Sequence, residues 1–109
     1  MKEIEFYVTP EGKCPYLEWA EALSLEYQTR INTRLKRMQE GNYGDHKKLQ
    51  NSELSELRMT FGKGYRVYYK ELDNIIILIV AGSDKSDQKA TIKLADKYLN
   101  EYLNRSNHG

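Results

Sequence analysis

Apolar positions along this chain change period twice. Over residues 3–8 they alternate loosely among β-branched and aromatic side chains, which predicts a first strand. Thr9-Pro10-Glu11-Gly12 then breaks it. Tyr16, Trp19, Ala20 and Leu23 recur at helical spacing, and Tyr27, Ile31, Leu35 and Met38 mark a second helical face after a phase slip near residues 24–26. The pattern predicts a helical hairpin at about residues 15–23 and 26–40. Pro15 stands at a first helical position, where a missing N–H is tolerated, and Gly41 at a C-terminal stop. Residues 41–52, GNYGDHKKLQNS, read as a polar loop long enough to suit a functional role.

Period two takes over in residues 52–85. Leu57, Met59 and Phe61 oppose Glu56, Arg58 and Thr60; after a turn at Gly62-Lys63-Gly64, Tyr65, Val67 and Tyr69 oppose Arg66, Tyr68 and Lys70. If Phe61 pairs with Tyr65, Arg58 falls opposite Tyr68 and Thr60 opposite Arg66, so the cations share one face. Asp73-Asn74 reads as a two-residue hairpin turn. The next strand, at residues 75–80, is apolar on both faces and belongs at the sheet centre. This pairing puts Ile77, Ile79 and Ala81 beneath Arg66 and Tyr68 as an apolar floor, where a low dielectric strengthens charge contacts. Ser86 or Asp87 is positioned to cap a last helix, whose stripe is Ile92, Ala95, Leu99 and Tyr102. That helix is expected to end near Asn104, ahead of a frayed tail at residues 106–109.

The expected fold is therefore a single α+β domain over residues 1–109 in the order βααβββα. Its sheet is twisted and mainly antiparallel. An N-terminal helical hairpin packs on the apolar face, a helix closes the chain, and the cationic face stays open.

Composition narrows the chemistry. At 109 residues one core is the most the chain can build. A net charge of +1 does not mark a nucleic-acid binder, so any basic surface must be local. One cysteine, Cys14, has no internal disulfide partner, which fits a reducing compartment. The start MKEIEFYV lacks a signal segment, and the apolar run at 75–81 is too short to span a bilayer. A cytoplasmic protein without membrane contact is expected. Two histidines and one cysteine are too few and too scattered for a zinc site. No paired carboxylates, Ser-His-Asp set, Walker loop or Rossmann fingerprint is readable, so no metal or organic cofactor is expected.

What remains is an anion site. Arg58, Arg66 and Tyr68, with Lys47, Lys48 and Lys85 nearby, offer planar guanidinium forks for phosphate oxygens and rings for bases, a combination that suits single-stranded RNA. The bland alternative pairs the arginines with Glu53, Glu56 or Glu71 on a solvated sheet face. RNA carries its own nucleophile, the 2′-hydroxyl. Cleavage then needs a base, cations for the charge developing at phosphorus, and an acid for the leaving oxygen. Arginine suits only the charge-stabilising role, which leaves Lys85, Lys47, His46 or Tyr68 for proton transfer. Arg30, Arg34 and Arg37 form a basic helical stripe that is either a solvated face or a phosphate-contacting rim.

The sequence also resembles a known family through Gly44-Asp45…Lys48-Leu49, Glu56-Leu57-Arg58, Gly64-Tyr65-Arg66-Val67-Tyr68-Tyr69 and Gly82-Ser83-Asp84-Lys85-Ser86…Gln88. It resembles the RelE/HigB-like toxins of bacterial toxin–antitoxin modules, and more closely the subgroup of phage-derived or addiction module killer proteins. The resemblance implies a RelE/ParE-like fold and a type II toxin that cuts mRNA in the ribosomal A site, by metal-independent 2′-hydroxyl transesterification. It implies as partners the ribosome, mRNA and a cognate helix-turn-helix, HigA-like antitoxin, with DNA met only through that antitoxin. By position it points to Arg58, Arg66 and Lys85 as the cations of the reaction and to Lys47 and Lys48 as substrate contacts; the residues themselves add Tyr68 as a catalytic candidate and His46, Lys70 and Gln88 as RNA contacts. The chain departs from the RelE pattern at Glu56, where RelE has a lysine, and at Gln88 and Thr91, where RelE has a tyrosine. Two other readings stay open: a ParE-type poison of DNA gyrase, and a non-catalytic module whose cationic face binds a protein.

Overall fold

The run IILIVAGS carries no charge, and it forms an interior strand of the sheet that is buried on both faces. The computed structural model describes residues 1–108. Its elements are β1 (Glu3–Phe6), α1 (Pro15–Glu21), α2 (Leu25–Gln39), β2 (His46–Lys48), β3 (Ser55–Arg58), β4 (Arg66–Leu72), β5 (Ile76–Ser83) and α3 (Gln88–His108), with a 3₁₀ turn at Lys85–Asp87 leading into α3. The five strands form one mixed sheet in the order β1-β5-β4-β3-β2. β1 runs parallel to β5, and the other neighbours are antiparallel.

Helices cover both faces. On one, Tyr16, Ala20, Ile31, Leu35 and Met38 of the hairpin pack on Leu57, Val67, Tyr69, Ile77 and Ile79. On the other, Ala95 and Leu99 of α3 pack on Tyr7, Tyr68, Leu78 and Val80. The expected open face is thus mostly closed by α3. Its apolar stripe needs a partner, and the second face of β5 is the apolar surface left to meet it. Among the described residues, no helix is long and apolar enough to cross a membrane.

Local signals set several boundaries. Pro15 opens α1, the Ser24 side chain accepts from the Tyr27 amide at the start of α2, and Gly41, at φ +94°, follows its end. The cap before α3 is Asp84 rather than Ser86 or Asp87. Asp84 accepts from the Ser86 amide at 2.8 Å, and Asp87 accepts the Asp84 amide in return at 3.2 Å. α3 also runs past the expected end, to His108; Gly109 lies outside the described residues.

Three differences concern the sheet. First, the loop at 41–52 contains β2, an exposed edge strand without apolar alternation and so without a periodic signal. The element order is therefore βααββββα. Second, β3 and β4 pair two residues away from the expected register, with Leu57 opposite Val67 and Arg58 opposite Arg66. A shift of two keeps every side chain on its face. Third, the β4–β5 turn carries left-handed Asp73 and Asn74 as expected, but pairing resumes only at Leu72 with Ile76. The extra residue, Ile75, turns Ile77 and Ile79 to the hairpin side, so the floor expected beneath Tyr68 is instead Leu78 and Val80. An irregularity between Tyr68 and Tyr69 leaves Val80 unpaired and restores Ala81 opposite Tyr68.

Candidate functional site

The loop between β3 and β4 is tied at its base by the Met59 amide, which donates to the Tyr65 carbonyl at 2.9 Å. Just inside that base, Arg58 and Arg66 are direct cross-strand neighbours. Like charges directly opposite in an antiparallel pair destabilise it. This sheet tolerates the clash by giving each guanidinium a different partner. Arg58 donates Nε and Nη2 to Oδ1 of Asp45, at 3.0 and 2.9 Å. Arg66 donates Nη1 to the carbonyls of Gly64 and Tyr65, both at 3.1 Å. Arg66 Nε is buried without a hydrogen-bond partner among the described residues.

Lys85 reaches the same place from the other side. The Asp84 cap holds the 3₁₀ turn, and the Lys85 amide donates to the Lys63 carbonyl at 3.3 Å, joining that turn to the β3–β4 loop. Gly64 lies between them at φ +73°. A Cβ there would sit 3.5 Å from Lys85 Cβ and 3.8 Å from Arg66 Nη1. The result is a cleft of about 340 Å³ lined by Arg58, Lys63, Arg66 and Lys85, with Asp45 as its one carboxylate among the described residues. Four cations facing one acid make a local positive field on a chain whose net charge is only +1.

A second cleft, of about 380 Å³, adjoins the first and shares Asp45, Arg58 and Thr60 with it. Its other wall is the α2 stripe. Arg34 there is structural: it donates to the carbonyls of Arg58 at 2.8 Å and of Tyr43 and Asp45, both at 3.2 Å. Burial lowers the pKa of its guanidinium, and Asp45 pulls the other way.

Of the residues singled out in the sequence, the cleft gathers Arg58, Arg66 and Lys85. It does not gather Tyr68, which is wholly buried under α3 with its hydroxyl 2.9 Å from Ser83 Oγ. Burial, the main cause, pushes that phenol up to about 12. Buried away from the cleft, the Tyr68 hydroxyl is out of hydrogen-bond reach of any substrate proton there, so Tyr68 is suited to neither the acid nor the base role. Tyr68→Phe is expected to cost about 1 kcal/mol of stability, by leaving Ser83 with one partner fewer. Activity should stay within a few-fold; a loss of activity at unchanged melting temperature would restore Tyr68 to the site.

Strand alternation scatters the remaining set. Lys47 pairs with Glu56, so it shares the α3 face, whereas His46 and Lys48 lie on the hairpin side. His46 packs against the Tyr43 ring at 5.2 Å, and Lys48 donates to the carbonyls of Leu49 and Ser52. Lys70 lies 3.9 Å from Glu53. Gln88 is occupied with Glu56, a carboxylate only 1% exposed, to which it donates at 2.9 Å; Lys47 stands 4.0 Å from the other oxygen. None of these five lines either cleft. Sequence reasoning missed Lys63 and Asp45. Lys63 looked like a turn residue between two glycines, and Asp45 lay in a stretch read as loop, where no register tied it to Arg58.

No family model matches the chain. An uncharacterized protein of Haemophilus influenzae is 42% identical to it over 78 residues, 71% of this chain and 78% of that protein.

Proposed function

We propose that this chain, which belongs to the same family as the uncharacterized Haemophilus influenzae protein, is a ribosome-dependent endoribonuclease of the RelE-like toxin type, neutralised by a helix-turn-helix antitoxin. The observation that carries this reading is the Arg58–Arg66 cross-strand pair, set in one cleft with Lys63 and Lys85. A sheet keeps two arginines face to face at a cost in stability, and an anion bound between them relieves it. The motifs around these residues and the α+β topology support the finer assignment to a RelE-like fold.

In the proposed reaction the 2′-hydroxyl oxygen attacks the adjacent phosphorus and the P–O5′ bond breaks. The products are a 2′,3′-cyclic phosphate and a 5′-hydroxyl end. Arg58 and Arg66 hold the non-bridging oxygens as charge builds on them. Lys85 donates the proton taken up by the departing O5′. Asp45, the only carboxylate lining the cleft among the described residues, accepts the 2′-hydroxyl proton.

Asp45 has a second effect, because its Oδ1 occupies Arg58 until phosphate displaces it. An exposed ion pair of this kind is worth up to about 1 kcal/mol. Asp45→Asn is therefore expected to tighten binding of a 2′-O-methyl RNA, which has no nucleophile, by up to about 5-fold. It should also slow cleavage of ordinary RNA by at least about 100-fold. Measuring both on one sample separates the roles; unchanged cleavage would remove Asp45 as the base.

The reading is tested by expressing the chain in a translating extract and mapping reporter mRNA ends by primer extension. Cuts within codons are expected only on translated message. Intact mRNA with growth inhibition still present would sink the proposal, and inhibition of DNA supercoiling in that case would point to a gyrase-directed toxin instead.

A further inference from the structure

The cleft beside α2 is not needed to hold a scissile phosphate, yet it opens directly onto the cleft that does, through Asp45, Arg58 and Thr60. Its outer wall carries Arg30 and Arg37, and its floor Phe61. The Arg30 guanidinium lies 4.0 Å from the centre of the Phe61 ring, and Tyr27 stacks on the same ring at 5.6 Å with planes 23° apart. Arg30 is thus held in place by stacking while its N–H edges remain unbonded among the described residues. The Arg37 side chain makes no hydrogen bond or ion pair among them either. Arg34 beneath is committed to three carbonyls and keeps the β3 end and the Gly44–Asp45 segment against α2.

We infer that this cleft is a second phosphate subsite for the same RNA strand, in which Arg30 and Arg37 grip the backbone next to the cleaved bond and the Arg30–Phe61 stack faces a base. The inference rests on the ribonuclease reading and gives it a direction: the strand passes over the end of β3, with Arg58 shared between neighbouring phosphates. Three features favour nucleic acid over an acidic protein segment. The cations are all arginines, whose planar forks match phosphate oxygens. An aromatic ring backs them, as in single-strand binding surfaces. The cleft is continuous with the proposed reaction site.

The test is fluorescence anisotropy with 2′-O-methyl oligoribonucleotides of two and six nucleotides, on the intact protein and on the double variant Arg30→Gln/Arg37→Gln. The hexamer should bind the variant at least about 10-fold more weakly, with a salt slope shallower by roughly 0.7 per lost phosphate contact. The dinucleotide should bind both proteins alike. Circular dichroism melting checks that the variant folds, and single Arg37→Gln, on the exposed side of α2, repeats the comparison without touching the stack. Equal weakening for both lengths, or none for the hexamer while Arg66→Ala abolishes binding, would overturn the subsite alone. Unchanged RNA binding with loss of binding to the antitoxin would assign the cleft to that protein and overturn the subsite too. Failure of Arg66→Ala to weaken either oligonucleotide would instead overturn the ribonuclease reading beneath it.

Discussion

Arg66→Ala is expected to lower mRNA cleavage by about 100- to 1,000-fold, the usual consequence of removing one donor from the charge developing in a transition state. Growth inhibition should vanish with it. The geometry complicates the readout, because Arg66 also donates Nη1 to the Gly64 and Tyr65 carbonyls and so helps to shape the β3–β4 loop. Removing it therefore frays the loop as well as the charge. Two companions separate these effects. Arg66→Lys keeps a cation but loses the fork, and should recover loop stability more than activity. Lys85→Ala removes a cation whose side chain holds no loop carbonyl among the described residues, and should lose activity at an unchanged melting temperature. End mapping on translated mRNA, normalised to folded protein by circular dichroism, gives the comparison. Full cleavage by a folded Arg66→Ala protein would remove the arginine pair from the reaction.

Gly82→Ala is expected to be the most damaging small substitution in the fold. Gly82 lies in β5 opposite Val67, under the Trp19 ring. A Cβ at that point would come within 2.2 Å of Trp19 Cε3 and 2.4 Å of Cζ3. The ring has little room to retreat, since Tyr16 and Tyr65 flank it with centroids 5.9 and 5.8 Å away. Overpacking of this severity costs about 3 kcal/mol or more, a large part of the about 5–15 kcal/mol that holds a domain together. The melting temperature should fall by at least about 10 °C. Trp19→Phe in the same chain, which shrinks the ring, should recover part of the loss, a non-additivity expected only of touching residues. A fall of under about 2 °C would show that α1 shifts freely over the sheet.

The two positions differ in how far they could be read in advance. Period two put Arg58 and Arg66 on one face, and the two-residue error in their register left that face intact, because side-chain direction depends only on parity. The same rule made the single extra residue at Ile75 consequential, since it reversed Ile77 and Ile79. Nothing in the local pattern marks Gly82 as the seat of Trp19; that contact joins residues 63 positions apart and exists only once α1 lies on β5. The basic stripe on α2 was visible as a stripe, but its meaning depends on lying beside Arg58, which the fold of the β2–β3 edge decides.

What local chemistry determined by itself was therefore the kind and order of most elements, an interior rather than an edge place for β5, although β4 is the middle strand, and the presence of cations on one side of the paired strands. These follow from periodicity, capping and turn residues, which act over a few positions. Only the tertiary structure decided which residues share a cleft. α3 covers most of the cationic face, burying Tyr68 against Ser83 and leaving the Arg58, Arg66 and Lys85 end uncovered. β2, an edge strand with no apolar alternation, carries Lys47 to Glu56 and sets Asp45 beside Arg58. Each of these depends on an apolar face finding its partner, or a backbone edge finding its neighbour, across many residues of chain.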